Sequence, residues 1–125
     1  MSLRILVVDD EPGVLLNLRA YLEDEGMEVR GAGSAEEALE LVRKGTDFDV
    51  CIMDMRLPGM HGDAAIRSLH RLRPGLRYLI HTGTAGYDLP DDLRRLGVGN
   101  DHLFMKPLPD MEPLVRAIRK LGVEG

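Results

Sequence analysis

Short apolar runs alternate along the chain with longer segments in which apolar residues recur at helical spacing. The runs occupy residues 4–8, 27–32, 50–53, 78–81 and 102–105. The first run is nearly continuous in apolar residues, which is typical of a parallel strand that is buried on both faces. The pattern therefore predicts five parallel strands, each followed by a helix.

The first two helices carry the clearest boundary signals. Pro12 suits the first turn of a helix, and Gly26 suits the end of one, with apolar residues between them at a spacing of four. Ser34 followed by Glu37 has the form of a capping box, which predicts a second helix that continues to Gly45. Three further helices are predicted. One follows residue 62, and one spans residues 89–96 with the weakest helical pattern of the five. The last follows Asp110, which is expected to cap it.

Strands that alternate with helices predict an α/β fold with a doubly wound, five-stranded parallel sheet. We expect the flavodoxin-like strand order 2-1-3-4-5 in a (βα)5 arrangement. The length of 125 residues suits one domain, so residues 1–125 are predicted to form a single domain.

Composition narrows the function classes. A formal net charge of -5, with Lys and Arg scattered among acids, disfavours direct binding to nucleic acid. No apolar run approaches the roughly 20 residues that span a bilayer, so we expect no membrane contact and a cytoplasmic location. Cys51 is the only cysteine and lies in an apolar run, which indicates core packing in a reducing compartment. The histidines lack metal-ligand spacing and are interpreted as structural or solvent-facing: His61, His70, His81 and His102.

Polar residues stand where the predicted strands end. In an open parallel sheet, ligands bind at the carboxyl ends of the strands, where the strand order reverses. Asp9 and Asp10 follow the first strand and Asp54 follows the third, so the three carboxylates should converge at one edge of the sheet. Thr82 and Lys106 end the two strands beyond them.

Carboxylates held this close repel one another unless a cation neutralises them. Three carboxylates and one lysine sum to −3 + 1 = −2, which one divalent ion would cancel. An all-oxygen ligand set favours Mg²⁺ over Zn²⁺, and Mg²⁺ suggests phosphoryl chemistry. Asp54 could act as the nucleophile, while Lys106 and the Thr82 hydroxyl contact oxygens of the phosphoryl group.

At these positions the chain resembles the receiver domain of bacterial response regulators in two-component signalling. Four fragments carry the resemblance, in order: residues 5–11 (ILVVDDE), 54–62 (DMRLPGMHG), 82–83 (TG) and 106–107 (KP). The resemblance covers essentially the whole chain. It implies that Asp54 is the phosphoacceptor, Asp10 a direct Mg²⁺ ligand and Asp9 a ligand acting largely through water. It adds the backbone carbonyl of Arg56 as a further metal ligand.

The resemblance also assigns roles around the phosphoryl group. Thr82 would be the switch hydroxyl, Lys106 the counter-ion, and the bond from Lys106 to Pro107 would be cis. Thr84 would influence the lifetime of the phosphorylated form through attacking water. The implied phosphoryl donor is a sensor histidine kinase or a phosphotransfer protein, and the downstream effector is undefined. Partner surfaces would be those of the fourth helix, fifth strand and last helix, with a homodimer through the last helix and fifth strand as one option.

One position departs from the family. Receiver domains commonly carry Tyr or Phe three residues before the lysine, and this chain has Leu103 there. Phe104 should point to the opposite face of the strand and cannot replace that aromatic ring. Phosphorylation chemistry is unaffected, but its relay to the partner surface must differ.

Two other function classes stay open. A phosphohydrolase of the haloacid-dehalogenase type also uses an aspartate nucleophile, but it has a second aspartate two residues on, where this chain has Arg56. An interaction module that works without phosphorylation would explain Leu103, although every pocket position carries the residue type that phosphorylation requires.

Overall fold

The structure of the chain is a computed structural model, and it describes residues 2–83 and 87–124. Five parallel strands form one sheet in the order β2-β1-β3-β4-β5, as predicted. The strands are β1 (Arg4–Val8), β2 (Glu28–Ala32), β3 (Val50–Met53), β4 (Arg77–Thr82) and β5 (Leu103–Met105). The sheet order reverses beside β1, so the carboxyl ends of β1 and β3 are neighbours.

Helices follow the strands along the chain. They are α1 (Pro12–Asp24), α2 (Ala35–Arg43), α3 (Gly62–Leu72), α4 (Asp91–Arg95) and α5 (Glu112–Glu124). A short 3₁₀ turn, Asn100–His102, precedes β5. Among the residues that the structure describes, none of the helices combines the length and the apolar character needed to cross a bilayer.

Helices cover both faces of the sheet, and successive strand residues point to opposite faces. Ile5 and Val7 pack with α1 and α5 in one apolar cluster, which we call the α1–α5 core. Leu6 and Val8 pack with α2, α3 and α4 in the other, the α2–α3 core. The continuous apolar runs of the sequence are thus explained by helices on both faces.

The α2 capping box forms with one change. The Ser34 hydroxyl accepts a hydrogen bond from the Glu37 backbone N–H at 3.1 Å, as predicted. The Glu37 carboxylate accepts from the Gly33 N–H at 3.0 Å, one residue earlier than in the usual reciprocal pair. The apolar residues of α2 form one buried stripe, which consists of Ala35, Ala38, Leu39 and Val42.

The bounds of four predicted elements were wrong by one or two residues, and the fourth strand is longer by one residue at each end, Arg77–Thr82. The second strand starts after Met27, because the Met27 N–H still bonds the Leu22 carbonyl at the end of α1 at 3.1 Å. The fifth strand starts after His102, whose N–H bonds the Gly99 carbonyl at 3.0 Å within the 3₁₀ turn. The fourth helix is shorter than predicted, because Pro90 occupies the position before its first residue and fixes an extended entry.

Candidate functional site

The first strand delivers two carboxylates to the switch point of the sheet. Asp9 continues the pairing of β1, since its N–H bonds the Ala32 carbonyl at 3.0 Å, and only 1% of the residue is exposed. Its Oδ1 accepts the Glu11 N–H at 3.0 Å, which fixes the carboxylate against the start of α1. Asp10 is exposed, so the neighbouring carboxylates differ in their access to solvent.

Asp54 is placed in the same way by the third strand. Its N–H bonds the Val8 carbonyl at 3.0 Å, which aligns it with the end of β1. Its side chain is buried, with 4% exposed, and Oδ1 accepts the Arg56 N–H at 3.1 Å. The carboxylate is therefore fixed in one orientation at the sheet edge.

The predicted carboxylate cluster exists. Asp9, Asp10 and Asp54 each offer a carboxylate oxygen, and these atoms all lie within 4.8 Å of one another. We call this cluster the acidic pocket. Two of the three side chains are almost fully buried, so bulk water solvates their charges poorly. An all-oxygen set at this spacing suits a hard divalent cation such as Mg²⁺.

Lys106 is the cation of the site. It follows β5, and its N–H bonds the Thr82 carbonyl at 2.9 Å, so the ends of β4 and β5 are joined beside the pocket. Its Nζ lies 2.7 Å from Asp9 Oδ2, 3.3 Å from Asp54 Oδ2 and 3.3 Å from Glu11 Oε1. The side chain is 15% exposed. The structure thus brings Lys106 to two of the predicted metal-binding carboxylates.

Burial and neighbouring charges shift the pKa values of Asp54 and Lys106. Burial raises the pKa of Asp54 and the Asp9 charge adds to this, while the Arg56 N–H and Lys106 act in the opposite direction. For Lys106, burial alone lowers the pKa, but the hydrogen bond and charge of Asp9, together with Asp54, outweigh burial and raise it. The charged form of Lys106 is therefore favoured, while the charged form of Asp54 is disfavoured relative to an aspartate in water.

Thr82 lies at the carboxyl end of β4, as predicted. It is 1% exposed and pairs in register with Met105, the residue before Lys106. The bond from Lys106 to Pro107 is cis, as the resemblance implied. Thr84, the predicted influence on phosphoryl lifetime, lies outside the described residues.

The start of α3 packs directly on the backbone of Asp54 and Met55. The Gly62 N–H bonds the Met55 carbonyl at 3.2 Å. A Cβ on Gly62 would meet Met55 Cα at 2.8 Å and would lie closer still to the Asp54 carbonyl oxygen. A glycine is therefore required for α3 to approach the acidic pocket this closely.

Leu103 and Phe104 point to opposite faces of β5, as predicted. Leu103 packs against the α2–α3 core, whereas Phe104 packs against the α1–α5 core. The position on β5 where the resemblance implies an aromatic ring thus holds a partly buried leucine.

Two residues near the site received no functional role in the sequence analysis. Glu11 contacts Lys106, and its only signal in the sequence was its place directly after the paired aspartates. His81 is 6% exposed, and its Nδ1 has no hydrogen-bond partner within the described part of the chain. Burial and the nearby Lys106 charge lower its pKa, although Asp9 and Glu11 oppose this. The burial of His81 agrees with a structural role and not with a solvent-facing one.

Comparison with known proteins identifies the family. A family profile described as "response regulator receiver domain" matches residues 5–119. The transcriptional regulatory protein AruR of Pseudomonas aeruginosa is 37% identical over 118 residues, covering 91% of this chain and 47% of AruR. The alginate biosynthesis regulator AlgB of Pseudomonas putida is 35% identical over 114 residues, covering 91% of this chain and 25% of AlgB. The chain spans less than half the length of these relatives.

Solved structures agree with the sequence relatives. A CheY-like response regulator receiver domain protein from Methanospirillum hungatei superimposes with a TM-score of 0.80 at 32% identity, covering 100% of both chains. The response regulator TrrA of Thermotoga maritima, solved in complex with Mg²⁺-BeF, gives a TM-score of 0.79 at 28% identity, covering 97% of this chain and 99% of TrrA. The chain belongs to the response regulator receiver domain family.

Proposed function

We propose that the chain is a phosphoacceptor switch, in which Asp54 receives a phosphoryl group from a phosphohistidine of a sensor histidine kinase or a phosphotransfer protein. The observation that carries this proposal is the placement of Asp54 between Lys106, at 3.3 Å, and two further carboxylates within 4.8 Å. A nucleophilic oxygen, a fixed cation and a cation-binding acid cluster are the parts that phosphoryl transfer requires. The membership of the receiver family supports the same role.

The chemical step needs no general base. An Asp54 carboxylate oxygen attacks the phosphorus in line with the leaving group and forms a new O–P bond. The P–N bond to the donor imidazole breaks, and its electron pair remains on the departing nitrogen, which takes a proton from solvent. Lys106 stays protonated and contacts a phosphoryl oxygen, and Thr82 donates its hydroxyl to another.

Asp9, Asp10 and Asp54, with the Arg56 carbonyl, would hold Mg²⁺. When bound, the ion supplies the positive charge that offsets the acid cluster and the incoming phosphoryl oxygens. The chain's own contribution is orientation. The Arg56 N–H fixes one oxygen of Asp54 at 3.1 Å, and Lys106 fixes the other.

We expect phosphorylation to change the partner-binding surface at the β4–β5 edge of the sheet. Thr82 joins β4 to β5 through the hydrogen bond from Lys106, so a shift of Thr82 toward the phosphoryl group would reach α4, β5 and α5. Because Leu103 stands in the usual aromatic position, we propose that this relay works by movement of the backbone and of Leu103 rather than by rotation of a ring. A homodimer through α5 and β5 is one surface that such a shift could control.

Intact-protein mass spectrometry tests the proposed function. The protein is incubated with acetyl phosphate and Mg²⁺, and the wild type is expected to gain one phosphoryl group. Asp54→Ala and Asp54→Asn should gain none, while the matched control Asp101→Asn, an exposed acid outside the pocket, should behave as wild type. Equal phosphate uptake by Asp54→Ala would rule out the proposal, and no uptake by wild type would favour a module that works without phosphorylation.

A further inference from the structure

Among the residues that the structure describes, three carboxylates surround the ammonium group of Lys106. A lysine ammonium group has three N–H donors. The Nζ lies 2.7 Å from Asp9, 3.3 Å from Glu11 and 3.3 Å from Asp54. A phosphoryl oxygen that is to bind Lys106 must therefore displace one of these carboxylates.

The three acceptors differ greatly in how easily they can leave. The side chains of Asp9 and Asp54 are 2% and 4% exposed, and each is fixed by a further backbone N–H. The Glu11 side chain is 63% exposed. Water can solvate the Glu11 carboxylate as it leaves, whereas a buried carboxylate would lose its partner without compensation. Glu11 is the acceptor that a phosphoryl group can replace at least cost.

We propose that Glu11 is a positioning residue that occupies Lys106 in the resting site and competes with the phosphoryl group for the same ammonium. The inference rests on the proposed phosphorylation of Asp54. Glu11 acts through Lys106, and it also places a negative charge near an anionic phosphoryl donor. Both effects slow phosphorylation and favour loss of the phosphoryl group.

The change Glu11→Gln isolates the charge. Glutamine keeps the length of the side chain and an oxygen that can accept from Lys106, but it removes the negative charge. The backbone role of Glu11 is retained as well, because its carbonyl accepts the Val14 and Leu15 N–H groups at 3.1 and 3.2 Å whatever the side chain. The start of α1 should therefore be unaffected.

Glu23→Gln is a matched control. Glu23 lies on α1, is about half exposed and pairs with Arg19 at 3.2 Å, so the substitution removes one acid and one exposed ion pair at a distance from the pocket. Both variants change the net charge by the same amount. A difference in phosphorylation rate between the two variants therefore arises from the position of the removed charge and not from the change in net charge.

The experiment measures the rate of phosphorylation by acetyl phosphate with Mg²⁺ and the half-life of the phosphorylated form. We expect Glu11→Gln to phosphorylate roughly two- to fivefold faster than wild type and to keep the phosphoryl group longer, the range that fits an exposed ion pair. The difference should shrink at high ionic strength, because salt screens exposed charges, and a purely structural effect would not follow salt. Glu23→Gln should match wild type.

Glu11→Ala gives a second measure, since it removes the charge and the hydrogen-bond acceptor together and should also accelerate phosphorylation. Rates for Glu11→Gln that equal wild type, or that fall below it, would overturn the inference while leaving the phosphorylation of Asp54 intact. A wild type that takes up no phosphate would overturn the proposed function and this inference with it.

Discussion

Replacing Gly62 with alanine places a methyl group against the backbone that carries Asp54. The new Cβ would meet Met55 Cα at 2.8 Å and would be closer still to the Asp54 carbonyl oxygen. Both neighbours are backbone atoms of the two residues that follow β3, so neither can move aside by changing a rotamer. Gly62 is not among the glycines with positive φ, so the conflict arises from the contact and not from the local backbone conformation.

The magnitude follows from two opposing effects. Forcing an extra methyl group into a packed site costs about 1–3 kcal/mol. Alanine favours a helix over glycine by up to about 1 kcal/mol in the interior, and by less at the first helical position that Gly62 occupies. The expected net result is a loss of about 1–2 kcal/mol in the free energy of unfolding.

Gly13→Ala is the control, since Gly13 lies in the first turn of α1 and a Cβ there meets nothing within 4 Å. It should be neutral or more stable than wild type by up to about 1 kcal/mol. Urea denaturation followed by far-UV circular dichroism measures both variants. Equal stability of Gly62→Ala and Gly13→Ala would refute the argument that α3 packs directly on the Asp54 backbone. Slower phosphorylation of Gly62→Ala is expected too, because α3 or Asp54 must shift.

Three further predictions concern stability. Ser34→Ala should cost about 1 kcal/mol in urea denaturation through loss of the α2 cap, and unchanged stability would contradict the cap. Arg67 holds the pKa of Asp92 below its ordinary value, so this stabilisation is present above that value and is lost as pH falls through the folded pKa. Stability should therefore fall more steeply below about pH 4 in wild type than in Asp92→Asn, and parallel pH profiles would contradict this. Burial raises the pKa of Asp54, so its effect on stability has the opposite pH dependence: without Mg²⁺, stability is lost as pH rises through the folded pKa. In thermal melts, Mg²⁺ or Asp54→Asn should remove that loss.

The fold was predictable because its signals are local. The bounds of β1 and β3 match the predicted ones, since continuous apolar runs end sharply at Asp9 and Asp54. The switch point followed from strand order alone, so the convergence of the acidic pocket could be inferred without coordinates. Pro90 could have corrected the start of the fourth helix, because the residue before a proline avoids helical geometry.

Other features depend on contacts between distant parts of the chain. The pairing of Glu11 with Lys106 joins residues 95 positions apart, and no periodicity encodes it. The same is true of Arg67, whose Nη2 donates to Asp92 Oδ1 at 3.1 Å and links α3 to α4. The burial of His81 was ambiguous, because a histidine near the end of an apolar strand can face the core or the solvent.

In the proposed function, the carboxylate of Asp54 forms an acyl phosphate. Borohydride reduces an acyl phosphate to an alcohol, which would convert a phosphorylated Asp54 to homoserine. After treatment with acetyl phosphate and Mg²⁺, followed by borohydride and peptide mass mapping, we expect homoserine at position 54. Homoserine at Asp9 or Asp10, or phosphate retained on a histidine with Asp54 unmodified, would contradict it.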